Sequence, residues 1–342
     1  MSKEANRLAS DESETILLRP SELKVVLADH AVNAESVLVF GPPGGGKSEI
    51  ITQVAEDIEL PMFAPYNLAL CDGSEFKGVP KMYENYMRWV KEERWLVQDK
   101  FCVFLDEISQ GPISAQNAVT TLLLENRIDD IYLPKGTWRV GAANRQQDRA
   151  GTNRMPNQLP NRCYVYELQY SAEDHVEFEV AQQNTDMLTI RFLRMKGDSA
   201  YQYDSAKMIN PTPRAWSTVS RKLAQNTNTP ISTIAGRIGK GFAAELFAFR
   251  DLAPSLPSPE EVKMNPKTAR VPTDNTSALF LVSDMLADHA SVNTFDALVE
   301  YAKRMPEEFQ ACFVKAAIKR KPEVLSTKAF TQWAIKFQDV LK

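Results

Sequence analysis

Gly41-Pro42-Pro43-Gly44-Gly45-Gly46-Lys47-Ser48 follows the spacing G-x-x-x-x-G-K-[ST], the pattern of a phosphate-binding P-loop. Glycines let backbone N–H groups turn inward and approach phosphate oxygens closely. Lys47 is spaced to meet the β- and γ-phosphates of a nucleotide, and Ser48 to hold Mg2+ through its hydroxyl. A second set of residues complements the first. Phe101-Cys102-Val103-Phe104-Leu105 is an apolar run that ends in Asp106 and Glu107. A carboxylate at the carboxyl end of a buried strand can hold the hydration shell of the cation, which suits Asp106. The next carboxylate, Glu107, can orient and polarise an attacking water. Gly141-Ala142-Ala143-Asn144 closes another apolar run, and Asn144 can position that water or contact the γ-phosphate.

These side chains need strands that end together and a helix that starts at the phosphate. Val37, Leu38, Val39 and Phe40 supply an apolar strand directly before the loop. Ile50, Val54 and Ile58 recur at i, i+4 and i+8 after it. They predict a helix over 49–60 that begins at Lys47-Ser48 and adds partial positive charge at the loop. Glu49 opens that helix and belongs to the expected nucleotide-contacting stretch. Further strands are expected at 63–70, 101–105, 138–142 and 163–168, which makes five. Near-continuous apolar strands alternating with helices predict a parallel sheet covered on both faces.

A short helix is expected at 21–30. Met82, Tyr86 and Val90 recur at helical spacing, as do Ala115, Val119, Leu122 and Leu123 behind Pro112. Trp89 and Trp95 read as packing residues. The stretch 128–139 contains Leu133-Pro134-Lys135-Gly136 and predicts a short hairpin. After Gln169 the strands stop, and 171–184, 187–196, 214–225 and 231–249 carry helical patterning. Pro254, Pro257, Pro259, Pro266 and Pro272 mark an extended linker. Helical patterning returns over 276–342.

Taken together the chain resembles the AAA+ ATPases, and within them the MoxR-like branch. The resemblance rests on Gly41 to Ser48 as Walker A, Leu105-Asp106-Glu107 as Walker B and Ala143-Asn144 as sensor 1. It continues through Arg154-Met155-Pro156-Asn157-Gln158-Leu159-Pro160-Asn161-Arg162 and ends with Asn210-Pro211-Thr212-Pro213-Arg214-Ala215-Trp216. It covers roughly residues 20–252. It implies a P-loop αβα sandwich with a five-stranded parallel sheet of order 5-1-4-3-2, then a helical lid. It implies ATP and Mg2+ as cofactors, and a homo-oligomeric ring, commonly a hexamer, with a site at each subunit boundary. On that pattern Arg162 looks like an arginine finger reaching a neighbour's site, with Arg154 as the other candidate, and Arg214 looks like sensor 2. The family places the region of Asp72-Gly73-Ser74-Glu75-Phe76-Lys77-Gly78 near the ring opening, so Phe76 and Lys77 are candidates to touch a substrate. Gly45 stands where a hydroxyl residue is frequent, and Asn161-Arg162-Cys163 replaces the frequent Asp-Arg-Phe.

The expected layout is a disordered tail at 1–15, a core at 16–170, a lid at 171–252, a Pro-rich linker at 253–275 and a helical C-terminal region at 276–342. Of 342 residues, 44% are hydrophobic and 25% charged, the balance of a globular chain. A net charge of −4 gives no support to nonspecific nucleic-acid binding. No apolar run approaches the length of a membrane span, and the polar N-terminus lacks a signal-peptide core. Cys71, Cys102, Cys163 and Cys312 form no C-x-x-C pair, and His30, His175 and His289 are the only histidines, so a zinc site is not indicated. Cys102 and Cys163 read as buried thiols, and the whole points to a reducing, cytoplasmic compartment. The leading expectation is a ring-forming ATPase that remodels or matures a client protein, with a von Willebrand A domain partner implied by the resemblance. The alternatives are a nucleic-acid translocase or restriction-type motor subunit, and a nucleotide-controlled scaffold with little turnover.

Overall fold

Parallel pairing joins six of the ten strands formed by the described residues, which in this computed structural model are 15–63, 65–145, 148 and 159–337. The strands are Ile16–Leu18 (β1), Val37–Phe40 (β2), Tyr66–Asn67 (β3), Val79–Met82 (β4), Met87–Val90 (β5), Cys102–Asp106 (β6), Arg127–Ile128 (β7), Ile131–Tyr132 (β8), Trp138–Ala143 (β9) and Tyr164–Leu168 (β10). The main sheet runs β1-β10-β2-β9-β6-β3, and every pairing in it is parallel. From β10 to β3 its five strands have the expected order 5-1-4-3-2. Ile16–Leu18 adds a sixth strand at the edge beside β10, within the expected core but not among its five expected strands. The expected tail at 1–15, its last residue aside, lies outside the described residues.

The sheet is buried on both faces, as its unbroken apolar strands require. One face packs Val37, Val39, Phe104, Val140 and Ala142 with residues of the helices Pro20–Val32 and Lys47–Asp57. The other packs Leu38, Val103 and Leu105 with Ala115, Val119, Leu122 and Leu123 of the helix Ile113–Glu125. Parallel register brings the carboxyl ends of β2, β6 and β9 to one edge: Phe40 pairs with Ala143, and Leu105 with Gly141. The P-loop, Asp106-Glu107 and Asn144 therefore emerge together.

Some expected elements differ. The strand expected over 63–70 is only Tyr66–Asn67, because the Asn67 side chain accepts from the Ala69 N–H at 3.1 Å and turns the chain. The helical spacing of Met82, Tyr86 and Val90 belongs to an antiparallel hairpin, β4 with β5, closed by Tyr83 N–H on Tyr86 O at 2.8 Å. All eight of its strand residues are exposed, so no core face imposes a period. The hairpin expected within 128–139 pairs Arg127–Ile128 with Ile131–Tyr132, so its turn is Asp129-Asp130 and not Leu133 to Gly136.

Two compact units divide the chain: 1–178 with 198–218, and 179–197 with 219–342. The first holds the sheet. The second is helical and contains 179–197 and 219–252 of the expected lid together with the C-terminal region, which thus share one unit. Within it three arginines converge on two aspartates. Arg191 and Arg194 reach Asp284 and Asp288, and Arg320 pairs with both aspartates. The expected linker at 253–275 is folded: Pro259 opens the helix Pro259–Met264, Ser258 caps it, and Val262 is fully buried. Pro254 and Pro259 stand in the first turns of helical segments, where a missing N–H costs nothing. No described helix is long and apolar enough to cross a membrane.

Candidate nucleotide site

The loop between β2 and the helix Lys47–Asp57 takes two left-handed turns, at Gly44 (φ 71°) and Gly46 (φ 97°), where a side chain would be strained. At Gly44 a Cβ would also sit 2.7 Å from Thr212 Oγ1. Three further contacts hold the loop: Arg214 N–H donates to Gly44 O at 3.2 Å, Gly45 N–H to Pro42 O at 3.3 Å, and the Tyr170 hydroxyl to Pro43 O at 3.0 Å.

Lys47 is 8% exposed. Its ammonium donates to Gly41 O at 2.9 Å, Pro42 O at 3.2 Å and Asn144 Oδ1 at 3.0 Å. Burial pushes its pKa down to about 8, against the pull of Glu107, Asp106 and Asp148. A desolvated cation held on carbonyl dipoles, with no carboxylate in contact, is a strong anion receptor. Ser48 Oγ donates to Asp106 Oδ2 at 2.7 Å. These hard oxygen donors, side by side at a strand end, fit Mg2+.

Glu107 adopts a left-handed backbone (φ 54°, ψ 38°), a conformation that costs a non-glycine residue about 1–2 kcal/mol. Its N–H donates to Asp106 Oδ1 at 2.8 Å, and Oε2 accepts from Asn144 Nδ2 and Gln110 Nε2, both at 2.8 Å. Burial first, then neighbouring Asp106, raises the Glu107 carboxyl above the usual range, opposed by Lys47 and Arg214. Asn144, 3% exposed, thus bridges the lysine and the carboxylate that sequence alone left as separate motifs. Glu49 faces solvent and accepts from Gln53 at 3.0 Å.

Arg214 is exposed near the start of the helix Pro213–Gln225, and its charge acts on both Lys47 and Glu107. Arg162 lies apart from this cluster. It precedes β10, at the amino ends of the parallel strands, and is exposed with no ion-pair partner among the described residues. Arg154 lies outside the described residues.

Gln110 and Tyr170 support the site without having been singled out by sequence, and Thr212 does so from the motif quoted around Arg214. Beside them, Arg145 binds buried Asp148 at 2.9 Å and Glu167 at 3.0 Å. Phe76, expected to reach a substrate, is 2% exposed and packs on Tyr66 and Trp95. The pattern Asp72-x-x-Glu75 forms a capping box that starts the helix Gly73–Lys77 and turns Phe76 inward. Of the two tryptophans expected to pack, Trp95 does so and Trp89 is 38% exposed on the hairpin. Cys102 is buried and Cys163 half-buried, and all four thiols are free.

No curated protein matches the chain. Among solved structures it is similar to a point mutant of RuvB from Thermotoga maritima, with 14% identity over 68% of this chain and 69% of that one and a TM-score of 0.41. It is also similar to NtrX from Brucella abortus in complex with ADP, with 13% identity over 99% of this chain and 72% of that one and a TM-score of 0.41. The segment that holds the P-loop, Asp106-Glu107, Asn144 and Arg162, residues 36–163, matches the family of the AAA domain, dynein-related subfamily.

Proposed function

We propose that the chain is an ATP hydrolase that assembles into a ring, a hexamer on the MoxR-like pattern, and couples cleavage of Mg-ATP to remodelling or maturation of a client protein. The observation that carries this reading is one continuous hydrogen-bonded path. It runs from Ser48 through Asp106 and Glu107 to Asn144 and Lys47. In this reading ATP is the substrate. The loop from Gly41 to Gly46 turns N–H groups to its phosphates, and Lys47 takes the terminal ones. Mg2+ held by Ser48 and Asp106 would supply charge neutralisation between phosphates. Glu107, with a raised proton affinity, orients the water and draws its proton, while Asn144 and Gln110 fix its carboxylate.

Arg162 stands a strand's length from its own P-loop, roughly 13 Å for the four residues of β2. A guanidinium there cannot serve its own γ-phosphate, so its partner is the site of an adjoining protomer. Arg214 reports the γ-phosphate to the lid, proposed as 171–252. The exposed hairpin offers a client surface, since Met82, Met87 and Trp89 are adaptable apolar contacts. The von Willebrand A domain partner and a cytoplasmic location belong to this proposal through the resemblance.

One observation favours the nucleic-acid alternative. The same hairpin carries exposed Lys81 directly opposite Arg88, and Tyr83 stacks with Tyr86 at 4.8 Å. Cations beside aromatics suit a single strand. Stimulation of hydrolysis by single-stranded DNA, lost at high salt, would move the assignment to a motor.

Steady-state ATPase assays test the main reading. Glu107→Gln and Arg162→Ala are each expected to lower the rate by about a hundredfold or more. Equal rates in wild type and both variants would end the assignment, and nucleotide binding without turnover in wild type would favour the scaffold.

A further inference from the structure

Arg139 is the second residue of β9, at the end of the sheet opposite the P-loop. There it lines an open pocket of about 500 Å3 with Arg162, Glu35, Ser36, Cys163 and Tyr164. The Arg139 guanidinium is half-buried. Its Nη2 donates to Ala34 O at 2.5 Å, and its buried Nε has no acceptor. Among the described residues it has no ion-pair partner, and burial lowers its pKa. A desolvated guanidinium without a counter-ion is costly to hold.

The other polar groups do not relieve it. Glu35, the one carboxylate among the described lining residues, already binds His30 Nδ1 at 2.6 Å and the Tyr164 hydroxyl at 3.3 Å. The Ser36 hydroxyl is committed to Leu123 O. Arg162, on the same wall, is also unpaired among the described residues.

We propose that this pocket is an oxyanion site, in which Arg139, on a wall it shares with Arg162, binds a carboxylate or phosphate group. The planar guanidinium fork matches an anion with two oxygens. The volume far exceeds a single phosphate, so the anion arrives on a larger body: a small molecule, or an acidic side chain of a second copy of this chain. Arg139 is the residue that separates this site from the ATPase reading, which draws on Arg162 but not on Arg139.

The test fills the P-loop first, with Mg2+ and a non-hydrolysable ATP analogue. Inorganic phosphate is then titrated at constant ionic strength while thermal unfolding is followed, and assembly is measured in parallel by sedimentation velocity. If the ligand is a free anion, the wild-type midpoint rises saturably. Arg139→Gln then weakens the apparent affinity about tenfold or more, with partial recovery in Arg139→Lys. If the anion belongs to a second copy, Arg139→Gln shifts assembly towards smaller species and phosphate competes with wild-type assembly. Should Arg139→Gln unfold, Arg139→Lys and Arg139→Met carry the comparison, and Arg162 is left intact because the proposed ATPase uses it. A phosphate response and an assembly state that are the same in wild type and variants would overturn the proposal.

Discussion

Lys47 carries a charge in a place that disfavours charge. Its ammonium sits on two loop carbonyls and Asn144, and its pKa of about 8 lies well below the ordinary 10.5. Phosphate oxygens would restore the proton's favourable surroundings, so nucleotide binding and protonation are coupled. Affinity for a fluorescent ATP analogue is therefore expected to hold steady up to about pH 8 and then fall, by up to tenfold per pH unit. The sign for stability is opposite. The folded pKa is depressed, so without nucleotide the burial of Lys47 costs stability below about pH 8, and that cost fades as pH rises from 8 towards 10.5. Lys47→Met should bind weakly and lose the dependence. An affinity flat from pH 7 to 10 in wild type would show that Lys47 does not meet the phosphates. Asn144 matters for the same reason, because one carboxamide fixes the lysine with its oxygen and Glu107 with its nitrogen.

At the scale of elements, Gly141 ties the sheet to the turn that follows Glu107. A Cβ there would lie 2.3 Å from Ile108 Cδ1 and 2.8 Å from Leu38 Cδ2. Ile108 directly follows Glu107 in the turn Ile108–Gln110, so an added methyl group pushes on the segment that orients the carboxylate. Gly141→Ala is expected to cost about 1–3 kcal/mol of stability by overpacking, and to lower turnover more than nucleotide affinity. Chemical denaturation and steady-state kinetics check the two parts, and unchanged turnover would mean that the turn is not held from this side. What was legible in the sequence follows the same division. The P-loop, Asp106-Glu107 and Asn144 could be read because each is local, a glycine turn or a polar residue at the end of an apolar strand. The contacts of Tyr170 and Thr212 could not, since ordinary residue types reach the loop from more than 120 positions away. The hairpin of β4 and β5 was misread because both its faces meet solvent, and periodicity reports only on a face that is buried. The signal that buries Phe76 is present, a four-residue capping box from Asp72 to Glu75, but Gly73 and Gly78 give the stretch the look of a loop.

For the whole molecule, the decisive question is whether one protomer can complete its own site. Opposite ends of parallel strands hold the P-loop and Arg162, so with Arg162 as the proposed finger, hydrolysis is a property of neighbours. A head-to-tail interface closed into a ring supplies such neighbours. Two inactive variants then ought to rescue each other. Lys47→Ala removes nucleotide binding but keeps Arg162, while Arg162→Ala keeps an intact P-loop. In mixed rings an Arg162→Ala site beside a Lys47→Ala protomer has every group it needs. Random equimolar assembly creates that arrangement at about one interface in four, so co-expressed and co-purified variants should recover about a quarter of the wild-type rate if interfaces act independently. Mixing Lys47→Ala with Glu107→Gln provides the control, because both defects lie in the same half-site and every interface lacks one of the two groups. Tags on each variant establish that mixed rings have formed. Recovery in the first mixture and none in the second would assign Arg162 to the adjoining subunit's chemistry. No recovery in either, with mixed rings in hand, would leave Arg162 as an exposed arginine beside a pocket and return the search for the missing charge to Arg154.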